Sequence, residues 1–127
     1  MPIIKSFRDL NVYRAARAEA RKLFEVSAAF PKAELYSLTN QIRRSSRAVN
    51  AMIAEVGARR RYEAAFINKI NEAMGESMET QAWLDAALDC RYITEDQHQV
   101  HDAAMQSVGA MLASMIEKAD SFCQSPK

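Results

Sequence analysis

Apolar residues recur in alternating steps of three and four along four stretches of this chain, the period of one face of an α-helix. The first stretch carries Leu10, Tyr13, Ala16, Ala20, Leu23 with Phe24, and Ser27. The second carries Leu35, Leu38, Ile42, Ser45, Val49, Met52 and Val56. Its strict alternation favours shallow left-handed packing against neighbours, as in a bundle. Ser45 is a small polar interruption that permits close approach of another helix. The third stretch reads Phe66, Ile70, Ala73, Ser77, Thr80, Leu84 and Ala87. Ile67, Met74, Met78 and Leu88 widen its apolar face, so this helix is expected to be covered on two sides, in the bundle and in an oligomer. The fourth follows Val100, Ala104, Val108, Met111, Met115, Ala119 and Phe122. No strand alternation and no internal repeat interrupt these four.

Local signals set the boundaries. Residues 1–6 read as an extended lead-in, and Ser6-Phe7-Arg8-Asp9 fits a capping box. Phe30-Pro31 breaks the chain, with proline suited to a first helical position and Phe30 placed to staple the next turn. Gly57 predicts a stop in the left-handed conformation. Gly75 sits inside the third helix and costs about 1 kcal/mol against alanine, which suits a position where something packs closely. Arg91 puts a cation at that helix's negative end. Thr94-Glu95-Asp96-Gln97 is a second capping box, and the tail Gln124–Lys127 is expected to fray. The predicted helices span residues 7–28, 32–56, 60–91 and 95–122, within one domain over 1–127. Short connections make this an all-α, up-down-up-down four-helix bundle.

Composition agrees with long helices. The chain has 127 residues, enough for one core, and only three glycines and three prolines to interrupt it. No stretch approaches the roughly 18 apolar residues of a membrane span, and no signal-peptide pattern opens the chain. The expectation is a cytoplasmic protein with no membrane role. Cys90 and Cys123 form no CxxC pair and read as reduced thiols, with a disulfide left open. Trp83 is expected at a helix interface, and the methionines as core filler.

Charge changes the picture more. Residues 1–61 hold 13 Lys/Arg and 5 Asp/Glu (13 − 5 = +8), while residues 62–127 hold 4 and 11 (4 − 11 = −7). Either oppositely charged helices lie side by side, or two faces of the molecule meet different partners. Six arginines stand out: Arg43, Arg44 and Arg47 in mid-helix, and Arg59, Arg60 and Arg61 at a turn. The second group crowds the N-terminus of the third helix, against its dipole, a local conflict more often found at functional sites. Arginine binds phosphate bidentately, so an RNA or DNA backbone is the candidate ligand. The alternative is a solubilising surface, or salt bridges to Glu63, Glu72, Glu76 and Glu79 across a subunit contact. No aromatic residues interleave the arginines, so base reading is not expected.

Catalytic chemistry finds little support. Glu55, Glu72, Glu76 and Glu79 could line a bundle, but a di-metal centre needs two Glu-x-x-His pairs on separate helices. Only Glu95-x-x-His98 occurs, at a helix end, with His101 and Asp102 beside it. Neither cysteine has a histidine suited to activate it. The reading is therefore no metal, no cofactor and no enzymatic activity, with a metal-binding bundle enzyme kept as a third alternative.

Several motifs resemble one family. They are Phe7-Arg8-Asp9-Leu10, Phe30-Pro31-x-x-Glu34, Gln41-Ile42-Arg43-Arg44-Ser45-Ser46, Ile53-Ala54-Glu55, Phe66-Ile67-x-Lys69 and Glu76-x-x-Glu79-Thr80-x-x-Trp83-Leu84. In this order they resemble the bacterial four-helix-bundle proteins encoded in 23S rRNA intervening sequences, over nearly the whole chain. The Avd accessory proteins of diversity-generating retroelements look like relatives. The resemblance implies a homopentameric ring with no known enzymatic activity. Its Avd branch implies a basic surface that meets nucleic acid and a reverse transcriptase partner, a role not carried over to this chain. Where the family usually reads Asn-Ile-Ala-Glu-Gly, this chain has Met52-Ile53-Ala54-Glu55-Val56, with glycine one place later, so the break after the second helix is expected to shift.

Overall fold

The computed structural model describes residues 6–123. The lead-in expected before Ser6 and the fraying expected at 124–127 lie outside the described residues. Among the described residues the chain is helical and contains no strand. Four long helices, α1 (Asn11–Ser27), α2 (Asn40–Val56), α3 (Glu63–Asp89) and α4 (Glu95–Glu117), are followed by a short α5 (Ala119–Phe122). α1 and α3 each pack against both α2 and α4, so the helices form a square in chain order. Neighbours run antiparallel: Arg44 near the start of α2 reaches Glu76 of α3, while Glu55 near its end reaches Lys69. None of the helices among the described residues is long and apolar enough to cross a membrane.

The third stretch is the best-read element. All seven of its predicted seam positions, from Phe66 to Ala87, are buried in α3. At its small middle Ser45 of α2 meets Thr80, oxygen to oxygen at 2.8 Å, which is the close approach that the small residues allow. Ser77 Oγ donates to the Met105 carbonyl at 3.3 Å and ties α3 to α4. Polar atoms at these contacts find partners, as buried polar groups must.

The boundaries moved where polar side chains compete with the helix. The Ser6 capping box forms, but it caps a single 3-10 turn, Phe7–Asp9; Leu10 is extended and α1 begins only at Asn11. The second predicted helix starts with a 3-10 turn, Lys32–Glu34, and a π-helical turn, Leu35–Thr39, before α2. Glu34 organises this opening. Its carboxylate accepts from Ser37 Oγ at 2.5 Å, from Tyr92 Oη at 2.8 Å and from the Leu38 amide at 3.5 Å. The Ser37 and Tyr92 hydrogen bonds hold Glu34 below the usual carboxylate range, and the bond to Glu34 pushes the Tyr92 phenol up to about 12. The widened turn leaves Leu35 exposed, and Phe30 packs on Tyr92, with ring centres 5.5 Å apart. Further on, Ile53 rather than Met52 is fully buried, as expected when a 3.6-residue helix drifts past a 3.5-residue pattern.

Gly57 is not a left-handed stop. Its φ is −58°, and the chain tightens through a 3-10 turn, Gly57–Arg59, before α3 opens at Glu63. Arg60 and Arg61 therefore precede α3 instead of filling its first turn, where Glu63 supplies the favoured negative charge.

The left-handed residue is at the other end of α3. Arg91 has φ 62°; its amide donates to the Leu88 carbonyl and the Tyr92 amide to the Ala87 carbonyl, each at 2.9 Å. This is a Schellman closure with arginine where glycine is favoured. Relief of the left-handed strain outweighs the entropy that glycine adds to the unfolded chain. Arg91→Gly should therefore stabilise the protein by roughly 0.5–1 kcal/mol, read as a higher urea midpoint at unchanged slope.

α4 is rotated by one residue from its predicted face in its first half. His101 and Met105 are buried, whereas Val100 is exposed and Ala104 only partly covered; Leu112 replaces Met111. The cause is a polar pair between α1 and α4. His101 Nδ1 lies 2.6 Å from Glu19 Oε2, with both residues more than nine-tenths buried. An apolar pattern gives no hint of a buried histidine. The helix also breaks at Lys118, so the predicted run to Phe122 ends in the separate α5.

Candidate functional site

Three of the six candidate arginines are held by the chain's own groups. Arg43 Nε donates to Ser27 Oγ at 2.8 Å and Nη2 to the Phe24 carbonyl at 3.3 Å, so it caps the end of α1. Arg44 bridges Glu76, at 3.1 Å, and Glu79, both on α3. The Glu76 hydrogen bond is the main cause that raises the Arg44 pKa above its usual value. Arg60 Nε donates to the Phe122 carbonyl at 2.7 Å and caps α5. The predicted conflict at Arg60 is thus met locally by an orphan helix carbonyl.

Arg47, Arg59 and Arg61 are exposed. Arg47 is joined by two exposed arginines of α1 that lie off its apolar stripe. With Arg17 and Arg21 of α1 it lines a groove of about 260 Å³ between α1 and α2, completed by Ala20, Phe24 and Asn50. Arg17 and Arg21 are one helical turn apart, and the antiparallel α2 brings Arg47 alongside. None of the three makes an ion pair among the described residues. Phe24, exposed at 43%, lies beneath two guanidinium groups: Arg43 at 4.2 Å and Arg47 at 5.1 Å from the ring centre. An aromatic ring therefore does sit among the arginines. It comes from the neighbouring helix, so it was invisible to a search along one segment.

The carboxylates divide differently. Glu76 and Glu79 face Arg44, while Glu55 and Glu72 both hold Lys69, at 3.0 and 2.7 Å. These pairs lie within the chain. Glu95 supplies first-turn charge to α4 beside Asp96. His98 Nε2 lies 2.7 Å from Asp85 Oδ1, away from the buried His101. Among the described residues no three His, Cys, Asp or Glu side chains converge as a metal site.

The cysteines lie at opposite ends of α3. Cys90 follows its last residue, and Cys123 follows Phe122, whose ring stacks on Phe66 near its start. A helix of 27 residues is about 40 Å long, far beyond disulfide reach. Burial pushes the Cys123 thiol up, while Cys90 is exposed.

A family model described as 23S rRNA-intervening sequence protein matches residues 8–114. Among solved structures, the crystal structure of a protein of unknown function from the S23 ribosomal protein family of Bacteroides thetaiotaomicron is similar in fold. Its TM-score is 0.75 at 26% identity, over 84% of this chain and 95% of that one. None of the curated proteins matches the chain.

Proposed function

The chain belongs to the 23S rRNA-intervening sequence protein family, and from that premise we propose that it is a non-enzymatic scaffold, assembled as a homopentameric ring, that binds RNA or DNA phosphates through its α1–α2 face. The observation that carries the reading is the gathering of Arg17, Arg21 and Arg47 around one groove with no carboxylate partner among the described residues. Arg59 and Arg61 extend the basic surface at the bundle end. Like charges brought together without compensation repel, and an anionic ligand relieves that repulsion. Polyphosphate backbones fit best, because each guanidinium can take one phosphate in a bidentate contact.

Assembly draws on the opposite side. Asn71, Gly75, Met78 and Ala82 form a second, exposed seam on α3, and Val100, Ala103, Ser107 and Ala110 form one on α4. Both keep the three-four spacing, and Met78 and Val100 are each 61% exposed. Among the described residues, a Cβ at Gly75 or Gly109 would meet nothing within 4 Å beyond its own stretch of helix. Within one chain these glycines only cost helix stability; against a neighbouring subunit they permit close contact. Gly75→Ala should leave the single chain as stable or up to about 1 kcal/mol more stable, yet weaken the oligomer. Native mass spectrometry reads this, and an unchanged assembly would remove Gly75 from the interface.

The second reading is a purely protein-binding assembly module whose arginines bridge subunits. It is favoured by the division of charge between basic α1–α2 and acidic α3–α4. The triple variant Arg17→Glu, Arg21→Glu, Arg47→Glu separates the two. Under the proposal the ring persists, nucleic-acid affinity falls across all sequences, and the salt slope drops by about 2–3 for three lost phosphate contacts. Collapse to monomers favours the module. Absent or salt-insensitive binding by the intact wild-type oligomer defeats the nucleic-acid reading.

A further inference from the structure

We propose that the α1–α2 groove takes one unpaired nucleotide of a single strand, its base against Phe24 and its phosphates on Arg17 and Arg21. This rests on the phosphate-binding reading above and names the form of nucleic acid that it recognises. Phosphate contact alone explains the arginines but not Phe24. A large apolar ring left 43% exposed in a groove of cations has one face of chemistry to offer, stacking on a flat partner. Its two guanidinium neighbours are unequal. Arg43 is fixed by Ser27 and the Phe24 carbonyl, whereas Arg47 has no hydrogen-bond acceptor among the described residues. Arg47 can therefore yield its place over the ring to a base and stack on that base in turn.

Asn50 adds a polar contact. Its Oδ1 is buried with no hydrogen-bond partner among the described residues, although the residue lines the groove. A buried acceptor without a donor is unfavourable, and a turn of the amide toward a base N–H removes the deficit. The three groups ask for anionic oxygens, a planar face and an N–H donor, which a nucleotide unit carries together. A duplex meets only the first requirement, since its bases are stacked inside and its phosphates lie outside. The volume of about 260 Å³ suits one planar group rather than a helix of nucleic acid.

The test uses the intact oligomer and three fluorescent 20-mers: a uridine strand, the same length with abasic sites throughout, and a hairpin duplex. Fluorescence anisotropy gives the affinity of wild type, Phe24→Leu and Arg47→Gln for each. Leucine keeps a large apolar side chain but loses the stacking face, and a melting curve checks the fold. The wild type should bind the uridine strand about tenfold or more tightly than either other probe. Phe24→Leu should remove that preference while leaving abasic and duplex binding as they were. Arg47→Gln should weaken all three and the uridine strand most. Equal affinity of wild type for all three probes, unchanged in Phe24→Leu, overturns the inference and leaves phosphate binding standing. If wild type binds none of the probes, the phosphate-binding reading itself fails and takes this inference with it.

Discussion

Replacing His101 with leucine should destabilise the protein by about 3–5 kcal/mol, the usual cost of removing one partner of a buried pair. Glu19 is 3% and His101 7% exposed, so neither can turn to water when its partner is lost. The two single variants should differ. A carboxylate can only accept, so Nδ1–H of His101 donates to it at 2.6 Å. Without that donor, Glu19 is left as a buried polar group with no partner. Without Glu19, the imidazole has an uncharged form available and forfeits only a hydrogen bond. Glu19→Leu is therefore expected to cost less than His101→Leu. The double leucine variant should recover most of the loss, since well-packed apolar side chains often replace a buried ion pair without penalty. Urea denaturation of the three variants supplies the cycle. Additive costs in the double variant would mean that packing, rather than the pair, holds α1 to α4.

That pair also marks where sequence pattern stops being informative. The α3 seam was legible in full because every position in it is apolar or small, and the burial follows the spacing. The start of the α4 seam was misread by one residue because the buried face there includes an imidazole, and a periodicity of apolar residues then selects Val100 and Ala104 instead; Val108 and Met115 are buried as predicted. The start of the second helix was misread for a related reason. Glu34 draws Ser37, Leu38 and Tyr92 to one carboxylate, and Tyr92 is 58 residues away, so no local signal announces the π turn. The arginines were legible as candidates in a basic half of the chain, but not which of them the fold ties to its own groups. Arg43, Arg44 and Arg60 look the same as Arg47 in sequence; only packing shows that Ser27, Glu76 and Phe122 have claimed them. Conversely, Arg17 and Arg21 join Arg47 through the α1–α2 contact, which a reading along one helix at a time cannot supply.

The largest truncation effect in α3 is expected at Phe66, with a local consequence that distinguishes it from an ordinary cavity. Phe66 is fully buried, and Phe66→Ala should cost about 3–5 kcal/mol in lost burial and residual void. Its ring also stacks on Phe122, 5.8 Å away, in an α5 only four residues long. A helix of that length has no stability of its own. It stays in place through the Phe66–Phe122 pair, buried Ala119 and the Arg60 bond to the Phe122 carbonyl. An aromatic pair contributes roughly 0.5–1.5 kcal/mol beyond burial and a single hydrogen bond about 1 kcal/mol, so neither alone anchors the segment firmly. Losing Phe66 should therefore release α5 under conditions where the bundle remains folded. Cys123, partly covered at the end of α5, reports this directly, with exposed Cys90 as the internal standard. In Phe66→Ala the labelling of Cys123 by a thiol reagent should approach that of Cys90 well below the urea midpoint, and Arg60→Ala should produce a smaller rise. If Cys123 reacts only as the whole protein unfolds, α5 is held by the bundle as a unit. Arg60 would then be free for an external anion without loosening the chain's end.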